Sequence, residues 1–175
     1  MLPLIKVMKT FPLALRLALL LTSLCFLSLP ASAKDLYGRL GLGYNAQFSD
    51  TEQQNGVPAI SLKYGIAPRI MIELVGGFYS GPNGSGVAAL KYMQTIHSES
   101  YANFYYLLGG GFVSANHNSG GEFLGGFGTE FFIPGVDSVG FSFETGVSME
   151  NVTSGAYVLK TFGLSFINVG MHFYF

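Results

Sequence analysis

Beyond residue 33 the chain repeats one pattern. Apolar side chains occupy alternate positions, and clusters of Gly, Asn, Ser, Asp and Pro interrupt the runs. A period of two marks β-strands with one apolar and one polar face. In "LYGRLGLGYNAQFS", Leu36, Leu40, Leu42, Tyr44, Ala46 and Phe48 share one parity, and Tyr37, Arg39, Gly41, Gly43, Asn45 and Gln47 the other. "AISLKYGIA" sets Ile60, Leu62, Tyr64 and Ile66 against Ser61, Lys63 and Gly65. After a turn at Pro68, Ile70, Ile72, Leu74 and Phe78 oppose Glu73, Gly77 and Tyr79. Leu90 and Tyr92 then oppose Lys91, and Phe104, Tyr106, Leu108 and Phe112 oppose Asn103, Tyr105 and Gly109. In the next two runs Phe123, Phe127 and Phe131 oppose Glu122, Gly126 and Glu130, while Val139, Phe141, Phe143 and Val147 oppose Ser142, Glu144 and Ser148. A last strand runs to Phe175, which makes eight. The stretch before it, 155–166, leaves two courses open: an extension of that strand or part of the preceding loop. No helical period occurs after residue 33.

The connections after Phe48, Tyr79, Val113 and Met149 are Asn/Gly/Ser-rich and longer; those at Pro68, His97 and Pro134 are shorter. Membrane barrels show this asymmetry between extracellular loops and periplasmic turns. Composition points the same way. Charged residues make up 11% of the chain, against about 25% in ordinary soluble domains. All 24 glycines follow residue 33, among many Phe and Tyr.

The amino end has its own logic. Lys6 and Lys9 precede the apolar run "LALLLTSLCFLSL" and then "PASA". A positive region, a short apolar region and an Ala-x-Ala site form a secretory signal, expected to be cut after Ala33. The run is shorter than the ~20 apolar residues that span a bilayer. Met8 offers a second possible start. The expected organisation is therefore a cleaved signal over 1–33 and a barrel over 34–175. The single cysteine, Cys25, would leave with the signal, which removes disulfide and thiolate chemistry from the mature chain. Three of the nine Lys/Arg lie in 1–33, so six face ten Asp/Glu in the remainder. That balance argues against a nucleic-acid partner.

The final octet is N-V-G-M-H-F-Y-F. Ile167, Val169, Met171, Phe173 and Phe175 share the lipid-facing parity, and Asn168, Gly170, His172 and Tyr174 point inward. Phe173 and Phe175 suit an interfacial aromatic girdle. With Asn168, Gly170, Phe173 and Phe175 in place, the octet resembles the carboxy-terminal signal of bacterial outer-membrane barrels. By length and strand count, 34–175 resembles the small eight-stranded barrels of the OmpA, OmpX and OmpW type. The resemblance implies an outer-membrane location reached by Sec-type export through the periplasm. It also implies outer-membrane lipids and the barrel-assembly machinery as partners.

Candidate chemistry lies on the inward parity, which holds Arg39, Lys63, Glu73, Lys91, Glu130 and Glu144. A three-residue turn centred on Pro68 would set Lys63 opposite Glu73. Eight strands enclose only enough room for side chains, and buried charges need partners. A structural ionic plug is the expected role of these six, with a gated polar pathway as the sharper alternative. Glu130 and Glu144 have no nucleophile evident beside them in sequence. His97, His117 and His172 are expected in a turn, a loop and the last strand, too scattered for a metal site; no cofactor is expected. His117 and Ser119, with Glu122 to orient the histidine, resemble the His/Ser arrangement of lipid-cleaving outer-membrane barrels, but "SANHNSGG" has the composition of any exposed loop. The expectation is a non-enzymatic envelope barrel: structural, surface-interacting or passing small molecules. A lipid A or phospholipid acyl hydrolase and a lipocalin-like soluble carrier are the alternatives.

Overall fold

Alternation becomes a closed wall. The computed structural model describes residues 34–45, 59–80, 84–115, 118–151, 157–162 and 167–175. The expected signal over 1–33 and the segment "DTEQQNG" lie outside the described residues. Nine stretches of strand follow in order: β1 Leu40–Asn45, β2 Ile60–Ala67, β3 Ile70–Tyr79, β4 Ser85–Glu99, β5 Ala102–Ala115, β6 Asn118–Ile133, β7 Val136–Asn151, β8 Val158–Thr161 and β9 Asn168–Tyr174. Each of β1 to β7 pairs antiparallel with the next, and β9 pairs with both β7 and β1. The result is an eight-stave antiparallel barrel, in which closure removes the open edges a flat sheet would carry. No helix occurs among the described residues.

The eighth stave is made of two pieces. Ser148 pairs with Lys160 on β8, and Glu144 pairs with Asn168 on β9. Six residues, 162–167, therefore separate the two pieces where β7 has only Thr145 and Gly146. This resolves the excess length noted in the sequence: β8 belongs to the wall, and the register jumps before β9. Phe162 at the jump is buried, and its amide donates to the Gly146 carbonyl at 3.1 Å.

Three local expectations are corrected. Leu36, expected to share the outward face of Leu40, is buried with the interior apolar residues. Gly38 adopts φ +73°, and the Arg39 amide turns back to the Leu36 carbonyl at 3.1 Å, so parity is lost before β1 begins. His97 lies on β4 opposite Phe104, beyond a bulge, and the turn falls at Ser100–Tyr101. "SANHNSGG" is largely ladder: Ser114 pairs with Ser119 and Ala115 with Asn118. Small polar residues on a tall hairpin have the same composition as a loop, so only pairing distinguishes them.

The segment 34–39 crosses one end of the barrel. Asn103 Nδ2 on β5 donates to the Lys34 carbonyl at 3.0 Å, and Lys34 Nζ lies 2.7 Å from Asp137 Oδ2 on β7. On the opposite side the Gly38 amide donates to the Gly65 carbonyl of β2 at 2.9 Å. A strap is thus fixed to three staves.

Candidate functional site

The expected pairing across the first turn occurs, but its charges go elsewhere. Lys63 and Glu73 are register partners on β2 and β3. The turn between them has two residues, Pro68 and Arg69, and a bulge at Gly65/Ala67 supplies the extra residue that preserves the register. Lys63 Nζ instead lies 3.2 Å from Glu130 Oε1, on a stave four places away and hence across the lumen. Glu73 Oε2 lies 3.0 Å from Lys91 Nζ on β4, and Lys91 also reaches Glu144 Oε2 at 2.6 Å. Five of the six inward charges named from the sequence therefore form one layer, and all five are fully buried or nearly so.

Neutral donors complete the layer. Glu73 Oε1 accepts from Asn45 Nδ2 at 2.8 Å and from the Ser61 hydroxyl. Glu144 accepts from Tyr105 OH at 2.9 Å and Asn168 Nδ2 at 3.0 Å. Tyr174 OH donates to Glu130 Oε1 at 2.7 Å. The tyrosines reach these carboxylates because small residues make room beneath them. A methyl group on Gly128 would sit 2.6 Å from the Tyr105 ring. Buried charge is tolerated only when paired and hydrogen-bonded, and this layer supplies both.

Arg39 does not join the five. It stands at the strapped end, where Nη1 donates to the Asp137 carbonyl at 3.2 Å and the guanidinium lies 5.7 Å from the Tyr174 ring centre. Its parity suggested the lumen, but the turn at Gly38 places it at the rim. In the same region the Lys34 ammonium holds the Asp137 carboxyl below its ordinary range, chiefly by hydrogen bonding.

A second ionic group lies toward the other end. Glu122 and Glu150 are direct partners on β6 and β7, and both are buried. Lys160 Nζ on β8 lies 2.8 Å from Glu150 Oε2 and 3.9 Å from Glu122 Oε1. Glu150 is six residues beyond Glu144, roughly 20 Å along the strand at about 3.4 Å per residue. Sequence reasoning did not nominate this group, because Lys160 sat in the stretch of open course and Glu150 in a supposed loop. Asn45, Ser61, Tyr105 and His172 were missed differently: each has inward parity, which was their only signal.

Of the hydrolase candidates, Ser119 and Glu122 are not brought together. Ser119 is exposed on β6, while Glu122, three residues along, points to the lumen. His117 lies outside the described residues. A different serine stands near a histidine: Ser61 Oγ is 2.8 Å from His172 Nε2. Both are fully buried, and the Ser61 hydroxyl also contacts Glu73, so the pair belongs to the ionic layer. Among the described residues no group of three or more His, Cys, Asp or Glu is arranged to hold a metal ion. Of the expected terminal signal, Asn168 is buried in the layer and Phe173 and Phe175 are exposed on the outer face. No family model matches the chain, and no curated protein or solved structure does either.

Proposed function

We propose that this chain is an integral outer-membrane β-barrel with a non-enzymatic envelope role and a lumen plugged by the ionic layer. The observation that carries the reading is the inversion of the barrel's two faces. Large apolar side chains stand on the outside, among them Leu74, Phe78, Leu108, Phe112, Phe123 and Phe127, each at least half exposed. Lys63, Glu73, Lys91, Glu130 and Glu144, along the middle of the staves, turn inward, and the exposed Glu99 and Asp137 stand at strand ends. Water-soluble monomers rarely expose apolar patches beyond a few hundred Å². Lipid reverses the penalty, and a barrel satisfies every backbone group in it.

Dimensions agree. β4 to β7 have 14 to 16 residues, where about 9–11 tilted residues cross a bilayer. The surplus would stand above the membrane as hairpins available for surface contacts. A soluble carrier would need the opposite arrangement, with polar side chains outside. Fractionation of cells producing the protein, together with planar-bilayer recording, tests the proposal. The protein should enter the outer-membrane fraction and show little sustained conductance. Recovery as a soluble periplasmic protein would reject the membrane reading, and large porin-like steps would reject the plug.

A further inference from the structure

We propose that the lumen layer contains one vacant proton seat, the Nδ1 atom of His172, and that acid loads it against Glu130. The proposal rests on the hydrogen-bond pattern within the barrel and stands whether or not the outer face meets lipid.

Counting protons leads to this atom. Glu73, Glu130 and Glu144 accept hydrogen bonds from tyrosines, asparagines and a serine and lie against lysines, surroundings that favour three negative charges in the layer. Two lysines, Lys63 and Lys91, oppose them. With His172 neutral the layer is one positive charge short, and an unbalanced charge away from water is costly.

The same pattern fixes the tautomer. Ser61 has one hydroxyl proton and gives it to Glu73 Oε1. Its oxygen must then accept from His172 Nε2, 2.8 Å away, which places the ring proton on Nε2. Nδ1 is left as a bare lone pair. It is buried without a hydrogen-bond partner among the described residues, 3.9 Å from Glu130 Oε1. Two acceptors thus face each other at 3.9 Å, too long for a hydrogen bond but close enough for an ion pair once Nδ1 carries a proton.

The surroundings decide how the seat responds. The flanking staves contribute no charge beside the ring, because Gly43 of β1 and Gly140 of β7 are its register partners. From across the lumen, Glu130 of β6 and Glu73 of β3 favour the imidazolium and Lys63 of β2 opposes it. On its own strand Tyr174 directs its hydroxyl to Glu130. Loading the seat brings a second cation to the carboxylate that Lys63 already holds. The contact most exposed to acid is therefore the one spanning the lumen.

Nitrogen-15 NMR of the purified protein, with ring labels assigned through His172→Gln, tests the inference. At alkaline pH the His172 ring should be the Nε2–H tautomer, and acidification should add the second proton at Nδ1. Glu130→Gln should shift that titration to lower pH by about one unit or more, the scale on which neighbouring charges act, and Lys63→Met should shift it upward. An Nδ1–H tautomer in the unaltered protein would overturn the assignment without any variant needing to fold. So would a ring that never titrates while the fold persists, or a midpoint that ignores both substitutions.

Discussion

Lys63 and Glu130 tie opposite walls of the barrel together: their charged atoms lie 3.2 Å apart, although four staves separate them around the circumference. Both side chains are buried. Removing one partner from such a pair costs about 3–5 kcal/mol, because the other is left uncompensated. Lys63→Met should lower stability on that scale in urea unfolding from lipid vesicles. Lys63→Met combined with Glu130→Gln should cost less than the sum of the two single changes. Strict additivity would mean the two groups do not act as a pair.

The two faces of β7 should differ in what they tolerate. Phe143 is on the outer face and Glu144 is buried in the layer. An arginine near the bilayer midplane costs about 2–4 kcal/mol, so Phe143→Arg should reduce stability in vesicles by that amount. Ser148→Ala, inward on the same strand, should be milder. Equal tolerance of Phe143→Arg and Ser148→Ala would remove the distinction between faces.

Gly128 and Tyr105 form a notch and its occupant. A methyl at position 128 would press on the ring at 2.6 Å and tilt the hydroxyl away from Glu144. Overpacking of this kind costs about 1–3 kcal/mol. Gly128→Ala should therefore destabilise the barrel, and Tyr105→Leu should relieve part of the cost in the double variant. If Gly128→Ala unfolds at the same urea concentration as the unaltered protein, the notch is not constraining.

The strap makes a pH-dependent claim. Hydrogen bonding and charge from Lys34 lower the Asp137 carboxyl pKa. A lowered carboxyl contributes above its unfolded pKa, and the contribution is lost as pH falls through the lower folded value. Because Asp137 is largely exposed, the effect on overall stability is small. Carboxyl carbon-13 NMR should find the Asp137 titration below the ordinary aspartate range, and Lys34→Met should return it upward. An unchanged midpoint in that variant would show that the strap is not fastened at this point.

Much of this molecule was legible in the sequence because a strand's side chains alternate without ambiguity. Parity placed Lys63, Glu73, Lys91, Glu130 and Glu144 on one face, and the Pro68 turn set the register of Lys63 and Glu73. Cross-lumen partners were not legible, since Lys63 meets Glu130 only after closure and tilt bring distant staves to one level. Leu36 shows where local reasoning stops: a single positive φ at Gly38 ended the alternation. The register jump between β8 and β9 hid Lys160 in the same way, because periodicity carries no information across a change of register. The outward aromatics were easy to find, yet the medium they face is a property of the surroundings and not of parity.

A fluorophore on the apolar outer face reports directly whether that face meets lipid. The chain has no tryptophan, so Phe143→Trp supplies a single reporter on the outer wall, and Tyr157→Trp supplies another beside β8, toward the end away from the strap. Both proteins, reconstituted in vesicles whose acyl chains carry bromine near their middle, should be compared for fluorescence quenching. Bromine should quench Phe143→Trp strongly and aqueous acrylamide only a little, with the reverse for Tyr157→Trp. Quenching of Phe143→Trp by acrylamide, with indifference to brominated chains, would contradict a lipid-facing wall.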